Sequence, residues 1–235
     1  MVEFELVPDT TKASLYITFP ELDYVVIELN SLVSQDGYTD AICSRLRELF
    51  CLFSKDPLVR AVLISIDTTT ELDTFNPMAL WVPELNPDPN TGKQGSDFML
   101  EAIRNCSKPI ICVNHGKMSR TNLQIASASS IRICTSDSRF CIRDDEQVDN
   151  KLVDVLQEIL QTTENKSLLR QFVLTGKPFP ADVAKQLGFV SGVWKTKSEA
   201  LDEGRRLAKA IAERRVDVVQ KLAAEMKGSG KPGKL

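Results

Sequence analysis

A single α/β domain is the fold class this sequence predicts, and three observations carry it. Apolar residues recur at helical spacing between positions 40 and 53, at Ile42, Leu46, Leu49, Phe50 and Phe53, and Asp56-Pro57 ends that helix. The run from Arg60 to Ile66 is short and continuously apolar, the pattern of a strand covered on both faces. A chain of 235 residues with 43% hydrophobic content is long enough for one domain with a substantial core. A helix followed by a buried strand begins a βαβ unit.

The remaining elements follow in order. Tyr16-Ile17-Thr18-Phe19 and Tyr24-Val25-Val26-Ile27-Glu28-Leu29 are rich in β-branched and aromatic residues, and Pro20-Glu21 between them predicts the turn of an opening hairpin. From Thr68 to Gly95 the chain is polar, Pro-rich and aperiodic, with Asn86-Pro87-Asp88-Pro89-Asn90 at its centre, so an exposed loop is expected. Helical spacing resumes from Phe98 to Ile103, and Ser107-Lys108-Pro109 ends that helix and opens another buried strand. An apolar helix is expected from Leu123 to Ser130, preceded by Ser119-Arg120-Thr121-Asn122, three of which are preferred capping types. Beyond an acidic stretch holding Asp144, Asp145, Glu146 and Asp149, residues Lys151 to Leu160 read as a helix. Positions 1–198 form the expected core and 199–226 one long helix or two in series. Positions 227–235 are a Gly/Lys-rich tail with no pattern that would order it.

Composition narrows the function. With 29 basic and 32 acidic residues the net charge is −3, so no global field draws the chain to nucleic acid. The six cysteines form no C-x-x-C pair, and four lie in apolar runs, which points to reduced thiols. The single histidine, His115, excludes a His-rich metal site, and its place at the end of a strand suggests a structural role. Met1 to Leu6 carries Glu3 and Glu5, against a signal or transit peptide, and no window reaches transmembrane length.

The segments Val59-Arg60-Ala61-Val62-Leu63-Ile64, Lys108-Pro109-Ile110-Ile111-Cys112-Val113, His115-Gly116, Ile131-Arg132-Ile133-Cys134 and Ser138-Arg139-Phe140 stand in an order that resembles the enoyl-CoA hydratase/isomerase (crotonase) family. Ala181-Asp182-Val183-Ala184-Lys185-Gln186-Leu187-Gly188-Phe189-Val190 is similar to the family's A-x-x-A-x-x-x-G-L-V element almost residue for residue. The resemblance runs from Tyr24 to Ala210 and implies a crotonase-like spiral of ββα units with C-terminal helices. It also implies acyl-CoA as substrate or ligand, no other cofactor, no metal, and a homotrimer or dimer of trimers. Leu207, Ile211, Val218 and Leu222 are the apolar positions expected to meet a partner surface.

Crotonase chemistry passes through a thioester enolate, which needs two backbone N–H groups aimed at the thioester oxygen. By position these fall on Ala79 and Thr121. The family's glycine triplet is here Arg120-Thr121-Asn122, and Arg120 in an outward orientation would reach a CoA phosphate. The two usual glutamate positions hold Gln124, which cannot move a proton, and Asp144, which is one methylene shorter. Two readings stay open: an enzyme whose working carboxylate is Asp144 or a neighbour, and a non-catalytic member that binds acyl-CoA or serves an assembly. A hydrolase reading would depend on His115 alone. The terminal Gly233-Lys234-Leu235 is close to the peroxisomal S-K-L tripeptide.

Overall fold

The computed structural model describes residues 4–6, 14–21, 23–30, 38, 40–68, 95–118, 120–140, 163, 165–175 and 177–228. In chain order the elements are β1 (Phe4–Leu6), β2 (Ser14–Glu21), β3 (Tyr24–Asn30), α1 (Asp40–Lys55), β4 (Ala61–Asp67), α2 (Gly95–Asn105), β5 (Ile110–His115) and β6 (Lys117–Met118). They continue as α3 (Arg120–Ser127), β7 (Ile131–Thr135), β8 (Arg139–Phe140), α4 (Lys166–Thr175), β9 (Phe179–Pro180), α5 (Ala181–Gln186), β10 (Gly192–Trp194), α6 (Lys197–Ala212) and α7 (Val216–Gly228).

The main sheet has the order β1-β2-β3-β4-β5-β7-β10, and β6, β8 and β9 form a second, smaller sheet. The first three strands are antiparallel, and from β3 to β10 neighbours run parallel. Alternation along each strand divides the core in two. Val62, Ile64, Ile110, Cys112 and Cys134 face the side covered by α1, α2 and α3, whereas Ala61, Leu63, Ile111, Val113 and Ile133 face α6. Each such aliphatic side chain taken from water contributes about 1.5–3 kcal/mol.

Helix α6 approaches the sheet so closely that a Cβ at Gly204 would lie 2.8 Å from Leu63 Cδ1 and 2.9 Å from Val113 Cγ2. Its start is held by a capping box between Thr196 and Glu199. The C-terminal helical pattern resolves into two helices in series. Arg60 Nη1 donates to Ala212 O at 2.6 Å and occupies the carbonyl that a continuing helix would offer to the amide of Val216.

Three expectations change. Pro20 and Glu21 belong to β2, and the turn comes later, with Glu21 paired to Tyr24. Pro20 sits where the register shifts between Thr18 and Glu21, a bulge that tolerates a residue without an N–H. Strand β1 had no sequence signal, being only three residues long. Thr68, expected in an exposed loop, is buried, with its amide and its hydroxyl both donating to His115 O at 3.0 Å. The expected helix over 151–160, positions 69–94 and Gly233-Lys234-Leu235 lie outside the described residues.

Candidate active site

The end of β5 is where the chain turns toward the expected acyl site. Gly116 has φ 86°, a left-handed conformation that costs a side-chain-bearing residue about 1 kcal/mol. It redirects the chain into β6, which pairs with β8 through Lys117↔Arg139 and Met118↔Phe140, while Arg139 N donates to Gly116 O at 3.1 Å. Helix α3 then begins at Arg120, three residues ahead of the expected Leu123. Thr121 and Asn122 therefore lie inside its first turn, because both are buried in the domain and tertiary packing overrides their weak helix propensity.

On a helix of 3.6 residues per turn, Thr121, Gln124 and Ser127 fall on one side of α3, while Leu123, Ile125 and Ala126 belong to the apolar core on the other. All three polar residues are buried, at 4%, 4% and 1% exposure. Gln124 Nε2 and Ser127 Oγ have no hydrogen-bond partner among the described residues. A buried donor left in that state costs about 1–3 kcal/mol. Asn122, in contrast, is engaged: Tyr38 Oη donates to its Oδ1 at 2.5 Å, across 84 positions of sequence.

The far end of α3 is clamped. Arg132 Nη1 donates to Ser129 O at 2.9 Å and to Ser127 O at 3.5 Å, its Nε donates to Phe189 O at 2.6 Å, and its guanidinium lies 5.2 Å from the centre of the Phe189 ring. A cation at the carbonyl end of a helix also meets the negative end of the helix dipole.

A second polar group occupies the opposite face of the sheet, because His115 continues the alternation of Ile111 and Val113 toward α6. His115 Nδ1 is 2.8 Å from Thr135 Oγ1 and 3.3 Å from Asp137 Oδ1, and the Thr135 hydroxyl donates to Asp137. Ser138 Oγ donates to Asn114 O at 3.0 Å and lies 3.1 Å from Thr135 Oγ1. The proton of Thr135 is committed to Asp137, so Thr135 accepts from His115 Nδ1–H. Both hydroxyl residues are fully buried with their protons engaged in bonds to Asp137 and to the carbonyl of Asn114. Lys197 Nζ meets Asp67 Oδ2 at 2.6 Å beside them.

Of the residues expected at the site, Thr121 is in the first turn of α3 and Arg120 supplies its first backbone position. Ala79 and Asp144 lie outside the described residues. Gln124's unpaired amide was invisible in the sequence, since only folding buries it. Tyr38 and Asp137 carried no motif, whereas Arg132 lay within a matched segment without a role. Among the described residues no group of three His, Cys, Asp or Glu could hold a metal. Cys112 and Cys134 are free thiols pushed up to about 12, in both cases chiefly by burial. No helix among the described residues is long and apolar enough to cross a membrane.

No family model matches the chain. The mitochondrial Δ(3,5)-Δ(2,4)-dienoyl-CoA isomerase of Mus musculus is 27% identical over 233 residues, covering 92% of this chain and 69% of that protein. The Dictyostelium discoideum protein of the same name is 34% identical over 121 residues, covering 52% of this chain and 41% of its own length. Among solved structures, an enoyl-CoA hydratase of Mycobacterium smegmatis superposes with a TM-score of 0.72 at 19% identity, covering 93% of this chain and 84% of that one. That likeness establishes a crotonase fold, and the isomerase relatives support membership of the enoyl-CoA hydratase/isomerase (crotonase) superfamily.

Proposed function

We propose that the chain binds acyl-CoA thioesters with the acyl group lying along the polar side of α3 and the thioester oxygen received by the Thr121 N–H. The observation that carries this reading is the buried stripe of Thr121, Gln124 and Ser127, which starts in the first turn of α3 and runs its length, with Gln124 Nε2 and Ser127 Oγ unpaired among the described residues. The stripe contains no ionisable side chain, so α3 itself can orient and polarise a thioester but cannot take or give a proton. Any carboxylate must come from another segment, for which Asp144 is the candidate, and Arg120 and Ala79 keep their proposed roles at a CoA phosphate and as second N–H donor. Calorimetric titration with octanoyl-CoA should give saturable heat that neither free CoA nor octanoate reproduces. Equal heats from free CoA would remove the reading.

The dienoyl-CoA isomerase names of the relatives favour a second reading, in which Asp144 makes the chain an isomerase. Turnover of a dienoyl-CoA that Asp144→Asn abolishes while binding persists would establish it. Absence of turnover in the unaltered chain would leave a binding protein. For assembly we propose a homotrimer or a dimer of trimers. Leu207 and Ile211 already pack against the chain's own sheet, but Val218 and Leu222 on α7 are 37% and 45% exposed and remain for a partner copy. A monomeric mass in sedimentation at micromolar concentration would contradict it.

A further inference from the structure

We propose that the cleft between the start of β4 and the break between α6 and α7 binds a phosphate group, held by Arg60 and Arg214. The proposal stands apart from the acyl-CoA reading, because the cleft lies at the other edge of the main sheet. Arg60 precedes β4, whose seven residues carry the chain about 20 Å along the sheet before it reaches the level of His115. Ile211, Val216 and Val219 give the cleft an apolar wall, and Gln220 adds a side-chain amide.

Charge sets this cleft apart from the rest of the two helices. Along α6 and α7, Arg205 pairs with Asp202, Arg206 with Glu203 and Arg215 with Asp217, so each of those guanidinium groups is neutralised locally. Arg60 and Arg214 are in no ion pair among the described residues, and none of the described carboxylates lines the cleft they share. A guanidinium carries five N–H groups. Arg60 spends one of them on Ala212 O at 2.6 Å, which fixes the group at the cleft. Its other donors, and the side chains of Arg214 and Gln220, have no hydrogen-bond partner among the described residues. Two like charges in one cleft repel each other, and an anion between them removes that cost. Guanidinium forks match phosphate oxygens, and a dianion balances both charges where a carboxylate balances one. The enclosed space is about 10 Å³, room for one atom the size of a water, so one phosphate oxygen enters while the rest of the group stays at the mouth. The ligand chemistry is therefore a terminal phosphate, either the free ion or a monoester.

The test is thermal melting of the full chain at about pH 7.5, where a phosphate monoester is close to dianionic. Sodium phosphate, sodium ribose 5-phosphate and sodium acetate are each compared with sodium chloride at equal ionic strength. Phosphate or the monoester should raise the midpoint saturably, with half-saturation at about millimolar concentration, and acetate should not. Whether the free ion or the monoester gives the larger shift assigns the source, and either supports the proposal. Arg214→Ala should weaken the effect about tenfold or more. Without anion that variant should melt no lower than the unaltered chain, since the Arg214 side chain makes no hydrogen bond or ion pair among the described residues. Arg60→Lys keeps a donor for Ala212 O but loses the fork, and should weaken the effect as well. A rise with acetate equal to that with phosphate would reduce the effect to general anion binding and overturn the proposal. A phosphate effect undiminished in Arg214→Ala would overturn it too, as would no rise with either phosphate. Should Arg60→Lys fail to fold, Arg214→Ala decides alone.

Discussion

Two groups of polar side chains meet where β5 ends, one on each face of the main sheet, and they are organised in opposite ways. On the α6 face, His115, Thr135, Asp137 and Ser138 form a connected set in which each hydroxyl proton has an acceptor. On the other face, the stripe along α3 keeps Gln124 Nε2 and Ser127 Oγ buried without partners among the described residues. A satisfied buried network makes backbone position rigid. Here it ties the turn at 136–138 to the end of β5, and thereby fixes both strands, β6 and β8, that lead out of the sheet. An unsatisfied stripe lowers stability and is retained where a ligand supplies what is missing. On the proposed reading, the difference separates scaffold from site among residues that look equally polar in sequence.

The comparison can be broken from either side. The largest effect is expected from Arg132→Ala, which strips the carbonyls of Ser127, Ser129 and Phe189 of a charged donor and should cost about 3–4 kcal/mol, read as the shift of a urea midpoint. If α3 is positioned from this end, octanoyl-CoA affinity should fall with it. Thr135→Val should cost about 2–3 kcal/mol, because one methyl leaves both His115 Nδ1 and Asp137 without the hydroxyl between them. A cost below about 0.5 kcal/mol would show that the α6-face hydrogen bonds do not hold the end of β5. Ser127→Ala should go the other way and stabilise by about 1 kcal/mol, since it removes a buried hydroxyl that has no partner; a lowered melting temperature would end the contrast between the two groups.

The smallest effect near neutral pH concerns the thiols beneath the α3 face. Cys112 and Cys134 are held up to about 12 against an ordinary value of 9.0, chiefly by burial. Their folded-state values are raised, so the stability linked to them is fully present below pH about 9 and is lost as pH rises from there toward about 12. Alkylation followed by mass spectrometry at pH 8 should modify the exposed Cys51 and spare Cys112 and Cys134 until the chain is unfolded. Their labelling at the rate of Cys51 would mean that the strand ends open far more readily than the packing of β5 and β7 implies.

Much of the fold was legible in sequence, and the failures are local. The continuous apolar run of β4 and the buried strand expected after Pro109 predict strands covered on both faces, and the parallel register of β3, β4, β5 and β7 agrees. The helical spacing of α1 placed Ile42, Leu46, Leu49, Phe50 and Phe53 correctly in the core. The start of α3 was expected three residues late, because capping preference is a local signal and burial of Thr121 and Asn122 is not. At the break between α6 and α7 the carbonyl of Ala212 accepts from Arg60, 152 positions away, a contact no local pattern announces.

By itself the sequence determined the strands β2, β3, β4 and β5, the helices α1 and α2 between them and the residue types at the expected site, since periodicity, turn chemistry and side-chain protonation are local properties. It settled that position 124 is an amide and position 115 the single histidine. Only the tertiary structure decided which of these polar groups are satisfied. Hydrogen bonding depends on what long-range folding brings within 3 Å or so. That is why Asn122 finds Tyr38, His115 finds Thr135 and Asp137, and the amide of Gln124, on the same short helix as Asn122, is buried with nothing among the described residues to bind.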